Sequence, residues 1–453
     1  MKIVVLGAGY VGLTTSACLA KLGHEVTCCD IDDARVAALN RADVPIFEPG
    51  LSDLIRSQTQ SGRLHFSRDA EGPAQSASAV FLAVGTPSNA DGDIDLSYVE
   101  AAALGIAPHL RNDAVLILKS TVVAGTARRL KALVDASRGR SDIAVASNPE
   151  FLREGSAIQD FLHADRIVIG TDDHRAEALL RELYRPLTDA GIALVATGTV
   201  DAELIKYAAN SLLALKIGFI NDVADLCEAL GGDVGAVADG IGRDRRIGAA
   251  FLAAGPGFGG SCFPKDTRAF ASTGRRHGTP QTLIETLIRA NEARKRRLAN
   301  RIIDAAPLHG RVAILGTSFK ANTDDVREAA ALTIVPMLIE AGLDVHVHDP
   351  QPAAAKRLLG EAHWHDDAMA AVRQADVTVV LTEWEEYRRL DLPKMAQAMR
   401  GRLLLDFRNI YTPEEAARAG LDYCGLGRRS AKRKPIRRGQ GTTPAIRVAA
   451  SPA

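Results

Sequence analysis

Short runs of β-branched and aliphatic residues alternate with helical periodicities along the first half of the chain. Residues 2–6 form one such run, continuous rather than alternating, as a strand buried on both faces requires. A glycine turn and a helix-like stretch over 12–22 follow. Further strand patterns lie at 26–30, 80–84, 115–118 and 143–146, with helical patterns between them. Alternation of this kind predicts a parallel, doubly wound sheet.

From about Val200 the pattern changes. VDAELIKYAANSLLALKIGFINDVADLCEALG keeps helical periodicity with few breakers and stops at Gly231–Gly232, so it predicts one long helix. A second helical run, 282–303, follows a glycine-dense loop. At Arg311, RVAILGTSF opens a second strand–turn unit, with later strands in VHVHDP and VTVVLTEW. This unit echoes MKIVVLGAG but lacks the three-glycine pattern of residues 7–12, so it need not hold a dinucleotide. The expected fold class is α/β, with two doubly wound domains joined by a long central helix and a helical region. The expected domains are 1–198, 199–306 and 307–427. Residues 428–453 form a basic tail, read as a solvated, disordered segment or as one that meets an anionic surface.

Composition narrows the class. The 453 residues exceed one ordinary core, and 47% hydrophobic with 24% charged residues is a globular balance. Lys+Arg and Asp+Glu both number 55, so no global field favours nucleic acid. The six cysteines form no CxxC pair, which argues against a disulfide framework or a metal cluster; no metal site is expected. The start shows no signal peptide, and no apolar run is long enough to span a membrane. A cytoplasmic protein is expected.

Gly7-Ala8-Gly9-Tyr10-Val11-Gly12 is a GxGxxG placed between a strand and a helix, with Asp30 about 20 residues on, ending the next strand. Gly7 permits the tight turn, Gly9 lets backbone approach a pyrophosphate, and Gly12 lets helix and strand pack closely. The helix N-terminus offers N–H groups to phosphates. Asp30 would accept hydrogen bonds from the adenosine ribose and repel a 2′-phosphate, which favours NAD over NADP. Arg35 either flanks the adenosine or sits on a solvated helix face.

Other candidates follow strands. Thr86 and Thr121 are placed to touch a ligand beyond strand ends, or serve as turn and N-cap residues. Glu150 and Glu154 could handle a proton, or could be helix-start carboxylates. Lys206 and Asn210 share one helix face and could stabilise an oxyanion, or could mark an exposed helix edge. Cys262 lies in GPGFGGSCFPKD, where the glycines allow close approach to a ligand. Lys265 or a helix N-terminus would lower its pKa and favour thiolate. Asp266 lies four residues on, within reach as a base or water-orienting group.

At these residues the chain resembles the UDP-glucose 6-dehydrogenase family, within the wider UDP-glucose/GDP-mannose dehydrogenases. GAGYVG, STVVAGT, NPEFLREG, KYAANSLLALKIGFIND, GFGGSCFPKD and FKANTDDVREA match in order, over about residues 1 to 426. The resemblance implies two Rossmann-like domains, with NAD held by the first and UDP by the second. It implies that a C6 alcohol yields a hydride to NAD, and that Cys262 captures the aldehyde as a thiohemiacetal. A second hydride transfer then leaves a thioester, which water hydrolyses to the uronic acid. Cys262, Lys206, Asn210, Asp266, Thr121 and Glu154 would be catalytic. Lys206 and Asn210 would stabilise an alkoxide or oxyanion, Asp266 would work with Lys206 on water, and the base stays open among Glu150, Glu154, Lys206 and Asp266.

Cofactor contacts carried over are Val11, Asp30, Arg35, Thr86, Thr121, Glu154, Lys265 and Arg327, beside the glycine turn. Substrate contacts are Glu150, Phe151, Leu152, Arg153, Glu154, Lys206, Asn210, Phe251, Leu252, Ala253, Ala254, Gly255, Gly259 and Lys320. Arg246 looks like the arginine that reaches a neighbouring subunit's sugar, which implies a homodimer. Ser261 before Cys262 points to the UDP-glucose branch rather than N-acetylated sugars; GDP-mannose dehydrogenases share the pair and remain the alternative. Cys262 argues against a two-electron enzyme sharing only the N-terminal fold. Lys206, Asn210, Cys262 and Asp266 together argue against a non-catalytic nucleotide binder.

Overall fold

A computed structural model of the chain describes residues 1–89 and 92–428. Its strands are β1 (Lys2–Leu6), β2 (Glu25–Cys29), β3 (Leu64–Ser67), β4 (Ala79–Leu82), β5 (Val115–Leu118), β6 (Ala144–Ser147), β7 (Arg166–Gly170) and β8 (Ala193–Thr197), then β9 (Arg311–Leu315), β10 (Asp344–His348), β11 (His363–Trp364), β12 (Val377–Val380), β13 (Leu403–Asp406) and β14 (Asp422–Gly425). The first eight make one sheet, in the order β3-β2-β1-β4-β5-β6-β7-β8. The other six make a second, in the order β11-β10-β9-β12-β13-β14.

Both sheets are covered on both faces. Ile3 and Val5 enter one apolar cluster while Val4 and Leu6 enter another. Val312 and Ile314 are likewise separated from Ala313 and Leu315. That two-sided burial is why the strands read as continuous apolar runs. All paired strands run parallel except β6 and β7, which meet antiparallel at Ser147–Gly170. The first sheet is therefore a parallel body with a β7–β8 ribbon turned against its edge, a departure from the expected all-parallel sheet.

The expected echo between the halves is structural. β1 pairs β2 with Lys2 opposite Glu25, and β9 pairs β10 with Arg311 opposite Asp344. Gly7 and Gly316 both turn at positive φ, and a Cβ at either would fall within 2.8 Å of the neighbouring strand's end. Asp30 and Asp349 each fasten the turn beside them. Asp30 Oδ2 accepts from Ala8 N at 2.7 Å. Asp349 Oδ2 accepts from Thr317 N at 2.6 Å and from both adjacent hydroxyls, so the second turn is closed by its own side chains.

Between the sheets runs a helix over Thr199–Leu230, about 48 Å long. Gly231 stops it in the left-handed conformation, as the sequence predicted. A second helix, Thr282–Ala305, packs beside it. No helix among the described residues is long and apolar enough to cross a membrane. The predicted tail lies outside the described residues except Arg428, which reaches the Tyr411 carbonyl at 2.8 Å.

Candidate active site

A cleft of about 610 Å³ opens where three segments converge. One is the loop after β6, another the middle of the long helix, and the third the glycine-rich loop ending at Cys262. Phe319, Lys320 and Arg408 close it from the second domain. Strand ends supply the first segment because a parallel sheet directs its carboxyl ends to one side.

Cys262 is the N-cap of the helix Phe263–Arg276, and Asp266 N donates to its carbonyl at 2.8 Å, closing the first turn. Gly259 and Gly260 deliver the thiol. A Cβ on Gly259 would lie 2.6 Å from the Glu328 carbonyl, and one on Gly260 would strike the Phe319 ring. Only a chain without side chains passes between these groups.

Around the thiol, two cation–carboxylate or amide–carboxylate pairs span separate elements. Lys206 Nζ donates to Glu150 Oε1 at 2.8 Å. Asn210 Nδ2 donates to Asp266 Oδ2 at 2.6 Å, while Lys265 Nζ takes Asp266 Oδ1 at 2.8 Å. Glu150, Lys206, Asn210 and Asp266 are all buried. Lys206 and Asn210 therefore lie on the buried face of the helix, not on an exposed edge. On the other side, Ser261 Oγ sits 3.5 Å from the sulfur and donates to Glu154 Oε1 at 3.0 Å. Thr323 donates to Glu154 Oε2 at 2.9 Å, and Arg327 lies 3.5 Å from its other oxygen.

These contacts correct the expectation for the thiol. Burial, then the Glu150 carboxylate, pushes Cys262 up to about 11, with Asp266 adding and Lys206 opposing. Lys265 spends its charge on Asp266, and the helix N-terminus does not offset two neighbouring carboxylates. Glu150 also fits the role of base poorly. Burial opposes its ionisation, but Lys206 wins and holds the carboxyl below its ordinary value. Glu154 behaves oppositely: burial, then nearby Asp325, raises it to about 7.

The remaining candidates divide. Phe151, Leu152, Arg153, Phe251, Gly259 and Lys320 line the cleft with Glu154, Lys206, Asn210 and Cys262. Phe251 does so at φ +64, an uncommon backbone state for a side chain of that bulk. Leu252 and Ala254 instead pack against Ile220 and Ala224, and Ala253 is exposed. Gly255 gives its N–H to Asn221 and its carbonyl to Arg294, so its backbone is already engaged. Arg246 is bound to Asp244 on the surface and does not enter the cleft of its own chain. Thr121 lines a small gap that also touches Lys206, on the first domain's side. Thr86 follows β4 and is half-buried.

Three side chains were missed. Arg408 donates to the Phe319 and Leu381 carbonyls at 2.6 and 2.8 Å; it follows β13, so the strand-end rule applied to the second sheet would have found it. Arg166 stacks 3.7 Å over the Phe151 ring. Tyr10 donates to Glu48, which accepts from Gly155 N at 2.6 Å and Ala157 N at 2.8 Å. No local motif announces that link between the glycine-turn helix and the Glu154 loop.

The glycine turn fits a dinucleotide. A Cβ at Gly12 would stand 1.8 Å from the Gly7 carbonyl, whereas nothing lies within 4 Å of one at Gly9, which leaves room for a pyrophosphate over it. Val11 and Arg35 flank that turn, Arg35 being 3.2 Å from Asp30.

Comparison with known proteins agrees with this geometry. Residues 1–188, 200–293 and 313–413 match the NAD binding, central and UDP binding domains of the UDP-glucose/GDP-mannose dehydrogenase family. The chain is 47% identical to the UDP-glucose 6-dehydrogenase of Rhizobium meliloti, covering 94% of itself and 100% of that protein. It is 43% identical to a UDP-glucose 6-dehydrogenase of Bacillus subtilis, covering 94% and 93%. The solved UDP-glucose dehydrogenase of the archaeon Pyrobaculum islandicum superposes with a TM-score of 0.87 at 38% identity, covering 94% and 98%. With a dinucleotide turn at one end, a half-buried thiol in the cleft and three consecutive domain matches, the chain belongs to the UDP-glucose/GDP-mannose dehydrogenase family, with NAD as its cofactor.

Proposed function

We propose that the chain oxidises the C6 alcohol of UDP-glucose to the carboxylate of UDP-glucuronate, a four-electron reaction using two NAD per sugar. The observation that carries this reading is Cys262: a half-buried thiol on the wall of the cleft, beside Lys206 and Asn210, on a backbone that only glycines can thread. NAD, when bound, supplies the hydride acceptor for each two-electron step. In the first step C6 loses a hydride and its hydroxyl a proton, giving an aldehyde. The Cys262 sulfur then bonds to the aldehyde carbon, and the carbonyl oxygen gains a proton, forming a thiohemiacetal. Loss of the second hydride from that carbon and of the hydroxyl proton leaves a thioester. Water cleaves the carbon–sulfur bond, releasing the acid and returning the thiol.

The surrounding residues suit those steps. An ammonium carries three N–H donors and an amide two. Lys206 and Asn210 each give one to a carboxylate and retain others for a developing oxyanion. Glu154, raised to about 7, is suited to accept and return protons near neutrality, and Ser261 connects it to the sulfur. Asp266 positions Asn210 and Lys265, and Thr121 lines the same small gap as Lys206. Lys320 and Arg408 bring cations to the second domain's side of the cleft, where a diphosphate would lie.

The active form is proposed to be a cytoplasmic homodimer, Arg246 entering the neighbouring site. Leu204, Leu212, Phe219, Leu226 and Leu230 lie exposed along the long helix, the middle three at heptad spacing. All six cysteines are free, consistent with a reducing compartment. GDP-mannose is the second reading, because Ser261-Cys262 does not separate the two branches. The deciding assay supplies UDP-glucose, GDP-mannose and N-acetylated UDP-sugars separately with NAD. Selective NADH production from UDP-glucose supports the proposal; selective use of GDP-mannose replaces it.

A further inference from the structure

The edge of the second sheet gathers imidazoles. Alternate residues of a strand share a face, so Asp344 and His346 of β10 point the same way. β11 pairs with β10 in parallel register, His346 opposite His363. His363 and His365, again two apart, therefore join the same face. The sequence places HVH beside HWH, and the register turns His346 and His363 toward one carboxylate, Asp344.

The donor atoms converge. His346 Nε2 lies 3.0 Å from Asp344 Oδ1, and His363 Nε2 lies 3.5 Å from the same oxygen. All three donor atoms fall within 4.8 Å of one another. Bonds of 2.0–2.1 Å in a tetrahedral site set ligand–ligand separations of about 3.3 Å. The two measured separations bracket that value. The groups that would orient such ligands are also present. His365 Nε2 is 2.7 Å from His346 Nδ1, the ring nitrogen facing away from the carboxylate. Arg311 Nε holds Asp344 Oδ2 at 2.9 Å and leaves Oδ1 to the imidazoles. A ligating histidine is ordinarily fixed by a partner on its second nitrogen.

We propose that Asp344, His346 and His363 bind one late first-row divalent metal ion, zinc in the first instance, with His365 orienting His346 and water completing the shell. Two imidazoles and one carboxylate suit zinc, nickel or cobalt rather than calcium or magnesium. The ion would staple β11, only two residues long, to β10. Asp344 opens β10, whereas the cleft lies beyond strand carboxyl ends, so the site is structural and separate from the oxidation.

The test is calorimetric titration of the tag-free full chain with Zn²⁺, in a Cys262→Ser background to remove that thiol as a competing ligand. One zinc per chain is expected, with a rise in Tm. His363 is largely exposed, so His363→Ala should fold; it and His346→Ala should abolish the binding event. His365→Ala should weaken it about 10–100-fold. Cobalt in place of zinc should show tetrahedral visible absorption that His363→Ala removes. In the chain with Cys262 intact, His363→Ala should leave NADH production unchanged. No binding by the parent chain, or the same binding by His363→Ala, would overturn the proposal.

Discussion

Lys206 and Glu150 meet at 2.8 Å with both side chains buried, tying the long helix to the loop after β6. Their charges act on Cys262 in opposite directions. Glu150→Gln removes a carboxylate that holds the thiol up, so Cys262 should alkylate faster at pH 8. Lys206→Ala removes the neighbouring cation, so alkylation should slow. Each change strands a buried charge and should cost roughly 3–5 kcal/mol of stability. Iodoacetamide rates measured against pH decide; shifts of the same sign in both variants would disprove the electrostatic account.

Glu154 sets a second pH dependence. Its folded value, about 7, exceeds the ordinary 4.5, so the folded state holds this proton more tightly than the unfolded state. The resulting stability is complete below about 4.5 and is lost as pH rises through 7, roughly 3 kcal/mol in all. Glu154→Gln should therefore have a higher Tm than the parent at pH 8 and a similar one at pH 4.5. If Glu154 must ionise for turnover, kcat/KM climbs through pH 7 in the parent and flattens in Glu154→Gln. Thr323→Val, which removes a hydrogen bond favouring the carboxylate, should move that limb to higher pH. A limb unchanged in both variants would exclude Glu154 as the titrating group.

Asp30 fastens the Ala8 turn, and we propose that it also faces the adenosine ribose. Asp30→Ala should weaken NAD by roughly 10–100-fold, the loss of hydrogen bonds to a charged group, and narrow the preference over NADP. Calorimetry with both nucleotides tests this; unchanged NAD affinity would remove Asp30 from the ribose site.

The apolar stripe on the long helix should close in a dimer. Light scattering should give twice the chain mass for the parent and the chain mass for Phe219→Glu. Loss of activity in the monomer, reproduced by Arg246→Ala in a dimer that stays intact, supports a shared site. A monomeric parent with full activity would refute it.

The sequence made visible those features that local geometry dictates. Continuous apolar runs marked β1, β5 and β12 because both their faces are covered. Gly231 and the glycine turn showed themselves because positive φ and close approach restrict residue choice. β3, β8 and β14 were not read, being four or five residues long with only partial burial. LLLD at β13 is a short apolar run that suits a helix or a strand equally. Partners set by tertiary contact stayed hidden. Nothing near Lys206 announces Glu150, 56 positions away, and nothing near Cys262 shows that the same Glu150 raises it. The low thiol pKa expected from Lys265 failed because Lys265 pairs with its own chain neighbour Asp266, while burial and the distant Glu150 raise the thiol.

The central claim is that one thiol carries the sugar through two oxidations. The most direct measurement counts NADH against UDP-glucuronate formed from a limiting amount of UDP-glucose, for the parent and for Cys262→Ser. The account predicts two NADH per acid for the parent, and a variant that binds substrate and NAD but forms no acid. One NADH per product in the parent, or acid formed by Cys262→Ser at near the parent rate, would contradict it.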